Sequence, residues 1–302
     1  MCATYFARVD GLMREFNKVG IIGYTDKVLV KGTVSRLARF LLEEGVEVHM
    51  EIPPNQTERM EGVTYSTRAE IGDICELAIV VGGDGSLLHA ARDLVEHDIS
   101  MLGVNRGRLG FLTDIAPQEP EQPVRDILNG KYIATERFLL EAELCRGDAC
   151  IQPSLALNDV VIQPRGSIRM IQFTLNIDGQ YVYTQRSDGL IVSTPTGSTA
   201  YALSGGGSIM HPNLDAINLV PINPHTLSSR PIVVNANAEL EIVIERDSSV
   251  DAQVVCDGQR YMEAELGDCI RVRRKARGLK LLHPVDHNFY ATCRSKLNWA
   301  SD

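Results

Sequence analysis

The chain has 302 residues, 44% hydrophobic and 23% charged, with a formal net charge of −9. That length and balance allow two domains with a substantial core and fit a soluble globular protein. The acidic surplus argues against a broad nucleic-acid or anionic-membrane surface, and no apolar run reaches the length of a membrane span.

In chain order, Val19-Gly20-Ile21-Ile22-Gly23 reads as a short buried strand, and Val34, Leu37, Ala38, Phe40, Leu41 and Leu42 as one face of a helix ending at Gly45. Val46 to Met50 alternates as a second strand. Leu77-Ala78-Ile79-Val80-Val81 and Met101 to Val104 supply two more, around a helical pattern carrying Leu87, Leu88, Ala91, Leu94 and Val95. This is the βαβ grammar of a parallel sheet covered by helices. Pro117, Pro120 and Pro123 mark the expected domain boundary, with an α/β domain over residues 1–116. Beyond it the period changes to two. Ile171, Phe173, Leu175 and Ile177 alternate, Asp178-Gly179 forms a hairpin turn, and Tyr181 and Tyr183 resume. Leu240, Ile242 and Ile244, then Ile270 and Val272, repeat the pattern, so residues 117–283 read as a β-rich domain. Arg271, Arg273, Arg274, Lys275 and Arg277 read as the solvated face of an edge strand. Residues 284–302 read as helical and are expected to pack back on the first domain.

Seven cysteines (Cys2, Cys75, Cys145, Cys150, Cys256, Cys269, Cys293) stand without a C-x-x-C pair. They predict free thiols in a reducing compartment and argue against structural zinc or a disulfide framework. The N-terminus lacks a basic segment followed by an apolar one, so the expected location is the cytoplasm. No H-E-x-x-H or clustered His/Cys set suggests a transition metal, and no metal ligand is named; His211, His225, His283 and His287 receive no role.

Four polar, glycine-rich blocks stand in apolar surroundings. The first is Gly82-Gly83-Asp84-Gly85-Ser86, between a strand and a helix. Such a turn lets backbone N–H groups approach a phosphate closely. A carboxylate at its centre is odd for a plain phosphate cradle, since two anions repel, and Asp84 reads as placed to take a proton or hold a cation. Its bland alternative is a cap on the following helix. The second block is Asn105 to Asp114, directly after a strand. The third is Leu157-Asn158-Asp159-Val160-Val161, where the Asn-Asp pair also fits an Asx turn. The fourth runs from Arg186 through Ser193-Thr194-Pro195-Thr196-Gly197-Ser198-Thr199-Ala200-Tyr201 to Ser208. Its small hydroxyl residues and glycines supply hydrogen-bond donors at low steric cost, as a nucleotide site needs, although Thr-Pro-Thr-Gly-Ser is also ordinary turn chemistry. The P-loop G-x-x-x-x-G-K-[ST] and the protein-kinase signatures are missing.

Together and in this order, the four blocks resemble the bacterial NAD kinases, of the ATP-dependent proteobacterial type. Pro224 to Pro231, Cys256-Asp257-Gly258-Gln259 and Arg294-Ser295-Lys296-Leu297-Asn298-Trp299 extend the resemblance over nearly the whole chain. It implies an α/β N-terminal domain and a β-rich C-terminal domain with the site in the cleft between. The implied reaction is transfer of the γ-phosphoryl group of ATP to the 2′-hydroxyl of the adenosine ribose of NAD, with Mg²⁺ as the expected divalent metal. Carried over, Asp84 is the general base, with Gly85 beside it. Asn158, Asp159, Arg169, Arg186, Asp188, Thr199, Ala200, Tyr201, Ala202, Leu203, Ser204 and Gln259 contact NAD. The resemblance also implies a homo-oligomer, tetramer or dimer, with Arg186 and Asp188 reaching NAD across a subunit boundary. One departure stands out: the family usually carries Ala-Gly-Gly-Pro where this chain has Gly205-Gly206-Gly207-Ser208, which is expected to loosen that loop.

Two rival readings have their own signatures. A lipid or sugar kinase sharing the Gly-Gly-Asp-Gly loop would phosphorylate diacylglycerol or fructose 6-phosphate, and a lipid kinase needs a basic amphipathic stretch that the sequence lacks. A non-catalytic NAD(P) sensor would bind without turnover and gains nothing from a carboxylate beside phosphates.

Overall fold

A computed structural model describes residues 14–23, 28–52, 59–107, 110–147, 149–151, 153–166 and 168–299. Cys2, and Arg108 and Leu109 of the second block, lie outside these. The chain divides into two units, Met1–Glu136 with Leu279–Asp302, and Arg137–Gly278.

The first unit is built on a seven-stranded sheet in the order Val63–Ser66, Glu47–Glu51, Lys18–Gly23, Leu77–Gly82, Ser100–Asn105, Leu279–His283, Ile133–Arg137. Each pairing from Val63–Ser66 across to Leu279–His283 is parallel. The central strands read as unbroken apolar runs because both faces are covered: Leu77–Gly82 and Ser100–Asn105 are buried at every residue. The helix Val28–Glu43 buries Val30, Val34, Leu37, Ala38 and Leu41 at helical spacing, each large side chain contributing about 2 kcal/mol of apolar burial. The helix Asp84–Leu94 does the same with Leu87, Ala90, Ala91 and Leu94. Strand order reverses between Lys18–Gly23 and Leu77–Gly82. Ligands of open parallel sheets bind outside the carboxyl ends of strands at such a reversal, and Gly82-Gly83-Asp84 stands at that end.

The boundary falls after Glu136, not at the prolines near 117. Pro120 is the N-cap of the helix Glu121–Leu128 and Pro123 lies in its first turn, where a missing N–H has no intrahelical partner to lose. The prolines start a helix of the first unit instead of a linker. The C-terminal helix Phe289–Leu297 belongs to this unit. The turn that precedes it is held at Asp114, whose carboxylate sits between His283 and His287. Burial raises the Asp114 carboxyl, but the two imidazole hydrogen bonds more than reverse this and hold it at about 2.

The second unit holds two antiparallel sheets. One has six strands in the order Ile232–Asn235, Ala216–Ile222, Gly189–Ser193, Asp159–Pro164, Ala252–Cys256, Arg260–Ala264. The other runs Gln180–Ser187, Ile171–Ile177, Leu240–Ile244, Cys269–Arg274, Leu140–Arg146, Ala149–Cys150, with Ser154–Ala156 also on Leu140–Arg146. Phe173, Leu175, Ile242 and Ile270 of one sheet share a core with Val160, Leu190, Val192, Leu219 and Val254 of the other. The hairpin turns at Asp178 and Gly179, both at positive φ (51° and 72°), as an Asp-Gly two-residue connection requires.

Two expectations are corrected here. The arginine-rich strand Cys269–Arg274 is interior, between Leu240–Ile244 and Leu140–Arg146. Its cations meet carboxylates across the ladder, Arg271 on Glu241 and Arg273 on Glu141 and Glu143. The thiols are not all free: Cys145 and Cys150 are directly opposite in the ladder and form a disulfide. A hairpin register brings together two cysteines that no spacing motif marks. Among the described residues Cys75, Cys256, Cys269 and Cys293 are free thiols. No described helix is long and apolar enough to cross a membrane.

Candidate active site

Asp84 is the first residue of its helix, behind an N-cap at Gly83 that makes no side-chain cap bond. The carboxylate turns to the second block instead. Its Oδ2 accepts from the Phe111 N–H at 2.8 Å. Its Oδ1 accepts from the N–H groups of Leu112 and Thr113, both at 3.2 Å, and from the Thr113 hydroxyl at 3.1 Å. A carboxylate has about four lone-pair sites, two per oxygen; Oδ1 is saturated by three donors, whereas Oδ2 keeps room for one more. The loop closes so tightly that a Cβ on Gly110 would lie 1.8 Å from Oδ1. Asn105 extends the arrangement, donating to the Thr113 hydroxyl at 2.9 Å and accepting from Gly107 N–H at 2.8 Å. The first and second blocks thus form one constellation, with Asp84 at its centre and, among the described residues, a single acceptor position open.

In the second unit, the strand Asp159–Pro164 begins at the third block, and the turn before it is held from two sides. Asp257 accepts from the N–H groups of Leu157, Asn158 and Asp159 at 3.0, 2.8 and 3.3 Å. It occupies a β-turn at φ 51°, followed by Gly258 at 65°, which aims its side chain back along the sheet. Thr194 donates to the Leu157 carbonyl at 2.6 Å and its N–H bonds the Asn158 carbonyl at 2.9 Å. Gly197 comes so close that a Cβ there would lie 2.1 Å from the same carbonyl. With its backbone fixed this way, the turn presents the side chains of Asn158 and Asp159 to a cleft of about 380 Å³. Val161, Gln163, Ala200, Tyr201, Val255, Asp257, Gly258 and Tyr261 line the rest of it. The short helix Tyr201–Ser204 is seated beside it by Ala202, packed with Ile191 and Val220 on this face of the six-stranded sheet.

Residues 19–132 match the family model described as the ATP-NAD kinase N-terminal domain, and residues 157–283 match the ATP-NAD kinase C-terminal domain. The chain belongs to the ATP-NAD kinase family. It is 53% identical to an NAD kinase of Pseudomonas entomophila over 289 residues, covering 96% of this chain and 98% of that protein. An NAD kinase of Teredinibacter turnerae is 51% identical, with 96% and 99% covered. Among solved structures, an NAD kinase from Archaeoglobus fulgidus in complex with ATP aligns with TM-score 0.73 and 26% identity, over 93% of this chain and 98% of that one. A yeast NADH kinase complexed with NADH, at 24% identity and TM-score 0.85, shares the fold over 95% and 89%.

Of the residues that the NAD kinase motifs single out, Asn158, Asp159, Ala200 and Tyr201 line the cleft. Thr199, Ala202, Leu203, Ser204 and Gln259 do not line it, Ala202 being buried against the sheet. Arg169 and Arg186 are exposed and do not line it, and Asp188 accepts from Asn223 at 3.0 Å. The hydroxyls of the fourth block are spent internally. Ser193, Thr194 and Ser198 are fully buried and donate to protein carbonyls, so they build the frame and are not free for phosphates. The Gly205–Ser208 loop is tied down despite its missing proline: Gly207 N–H bonds the Ala202 carbonyl at 2.8 Å, and Asn218 donates to the Ser208 carbonyl at 3.2 Å. Asp257 lies in the Cys256-Asp257-Gly258-Gln259 segment of the resemblance but is given no site role there; its bracing role needs the turn at Leu157, a hundred residues away.

Asp159 carries the strongest electrostatic signal of the cleft. It is 5% exposed, and its carboxylate accepts no hydrogen bond from the described residues. Burial pushes its carboxyl up to about 7, and the nearby negative charge of Asp257 adds to the shift. The side-chain amide of Asn158 is likewise open to the cleft. A buried carboxylate and an amide, neither partnered among the described residues, are an arrangement that hydroxyl and amide donors of a ligand would complete.

Proposed function

We propose that this NAD kinase family member transfers the γ-phosphoryl group of ATP to the 2′-hydroxyl of the adenosine ribose of NAD, giving NADP and ADP. The reading is carried by one observation: in the family's Asn158–Asp159 pair Asp159 is buried and Asn158 half-buried, the turn is braced by Asp257 and Thr194, and both side chains line the cleft. Asn158 takes an amide or adenine edge and Asp159 takes ribose hydroxyls. Arg186 and Asp188 of one copy contact the NAD of another in a homo-oligomer.

Asp84 holds the acceptor hydroxyl through its remaining Oδ2 lone pair. A bond forms between the 2′-oxygen and the γ-phosphorus while the bond from that phosphorus to the β,γ-bridging oxygen breaks; ADP leaves and the hydroxyl proton passes to Oδ2. A carboxylate is too weak a base to ionise a sugar hydroxyl in the ground state. In a loose transition state the proton leaves late, and positioning does most of the work. ATP enters as MgATP, the ion neutralising charge on the transferred group.

An NAD analogue lacking only the 2′-hydroxyl of the adenosine ribose tests the acceptor. It is expected to compete with NAD within a few-fold of NAD's own affinity and to accept no phosphoryl group, read as ADP release above the ATPase background. ADP release at the rate seen with NAD would place the transfer at another hydroxyl.

A further inference from the structure

Apart from both sites above, the first unit gathers Asp114, His283 and His287, which come from the loop after Ser100–Asn105, the end of the strand Leu279–His283 and the turn before Phe289–Leu297. One ligand atom from each lies within 4.8 Å of the others. Nδ1 of His283 and Nδ1 of His287 both stand 2.8 Å from Asp114 Oδ2, and the two rings stack with centroids 4.0 Å apart. Asp114 Oδ1 is buried with no hydrogen-bond partner. His283 is fully buried and its far nitrogen, Nε2, is 3.0 Å from the Thr135 hydroxyl, which itself reaches the Leu281 carbonyl at 3.4 Å. A cleft of about 310 Å³, lined by Asp114, His287, Asp286 and Asn288 among others, opens on the cluster.

We propose that Asp114, His283 and His287 form a binding site for a divalent transition metal of the zinc class, ligated through the two Nδ1 atoms and the carboxylate. Two imidazoles and one carboxylate with an open position are a donor set that such ions take in preference to Mg²⁺ or Ca²⁺. The surrounding bonds suit it. A ligating histidine ordinarily hands its other N–H to an acceptor that fixes the ring. When metal takes Nδ1 of His283, the proton resides on Nε2, Thr135 accepts it, and the Thr135 hydroxyl donates onward to Leu281. The orphaned Oδ1 of Asp114 gains a partner through the ion or a water bound to it, and the cleft admits that water. The site differs from the phosphoryl-transfer chemistry in residues, ligand class and metal. Occupancy would tie the loop that ends at Asp114 to the C-terminal helix.

The test uses the full-length protein, stripped with a chelator and titrated with Zn²⁺ against a chromophoric chelator, alongside H287A and D114N. The expected result is one tight equivalent in the wild type, a rise in melting temperature on adding zinc, and affinity weakened more than about tenfold in both variants. Imidazole ¹⁵N shifts of the wild type supply a readout that does not depend on variant folding: both histidines are expected to change at Nδ1. Absence of a tight equivalent overturns the proposal. So does zinc bound equally by wild type and H287A, which would assign it to the free cysteines, or imidazole shifts unmoved by zinc.

Discussion

Asp84→Asn is expected to lower kcat by roughly 10²–10⁴-fold while leaving KM for NAD within a few-fold. The residues assigned to hold NAD are in the other unit, on the turn braced by Asp257 and Thr194, so ground-state binding survives the change. Catalysis does not, because the amide can keep only one acceptor oxygen. With that oxygen at the Oδ1 position, the three bonds from Leu112 and Thr113 persist. The NH₂ group then faces the Phe111 N–H, 2.8 Å from the replaced Oδ2, and no acceptor remains for the substrate hydroxyl. The opposed donors also destabilise the Gly110–Thr113 loop, by about 1–3 kcal/mol. Steady-state kinetics with thermal melting on the same preparation checks both parts. A variant within about threefold of wild-type kcat, equivalent to less than about 0.7 kcal/mol of barrier, would remove Asp84 from the reaction.

The second large effect concerns Asp159, where stability and binding should move in opposite directions. Its carboxyl titrates near 7 in the folded chain against 3.8 for the ordinary group. Between those values the folded state retains a proton that the unfolded state has lost, so stability falls as pH rises from about 4 to about 7. Above 7 the full penalty is present, about 4 kcal/mol for a shift of this size. Asp159→Asn removes the charge and its repulsion from Asp257. It is therefore expected to melt higher than wild type at pH 8, by about 5–10 °C, and the difference should vanish toward pH 4. NAD binding should weaken roughly tenfold to hundredfold, the loss of hydrogen bonds to a charged acceptor. In the wild type, hydroxyl donors favour the ionised carboxylate, so NAD binding near pH 6.5 should release a fraction of a proton. Calorimetry in buffers of different ionisation enthalpy reads it directly. A variant that melts lower than wild type at pH 8 and binds NAD unchanged would reduce Asp159 to a framework residue.

The sheet of the first unit was legible because fully buried parallel strands read as unbroken apolar runs, Leu77–Gly82 above all. The hairpin at Asp178-Gly179 was legible because its turn chemistry admits few alternatives. What stayed hidden depends on pairing at a distance. The prolines near 117 look like a linker until Pro120 is seen to cap a helix. Arg271 and Arg273 of Cys269–Arg274 are solvent-exposed as read, but their strand looks like an edge until Leu140–Arg146 is placed beside it with Glu141 and Glu143. In the site, the glycine-rich blocks and the Asn158–Asp159 pair announced themselves. The groups that aim them, Asp257 and the Phe111–Thr113 backbone, did not, since one reads as a turn and the other carries its chemistry on the main chain. The Asp114–His283–His287 cluster is the extreme case, assembled from 169 residues apart.

The most direct measurement is NADP formation by the purified chain from NAD and MgATP, followed with an NADP-specific dehydrogenase. NADP appearing in step with ADP, at a turnover on the order of 1–100 per second, is the predicted result. Folded, NAD-binding protein that yields no NADP under these conditions would contradict the assignment and leave the chain a binder of NAD.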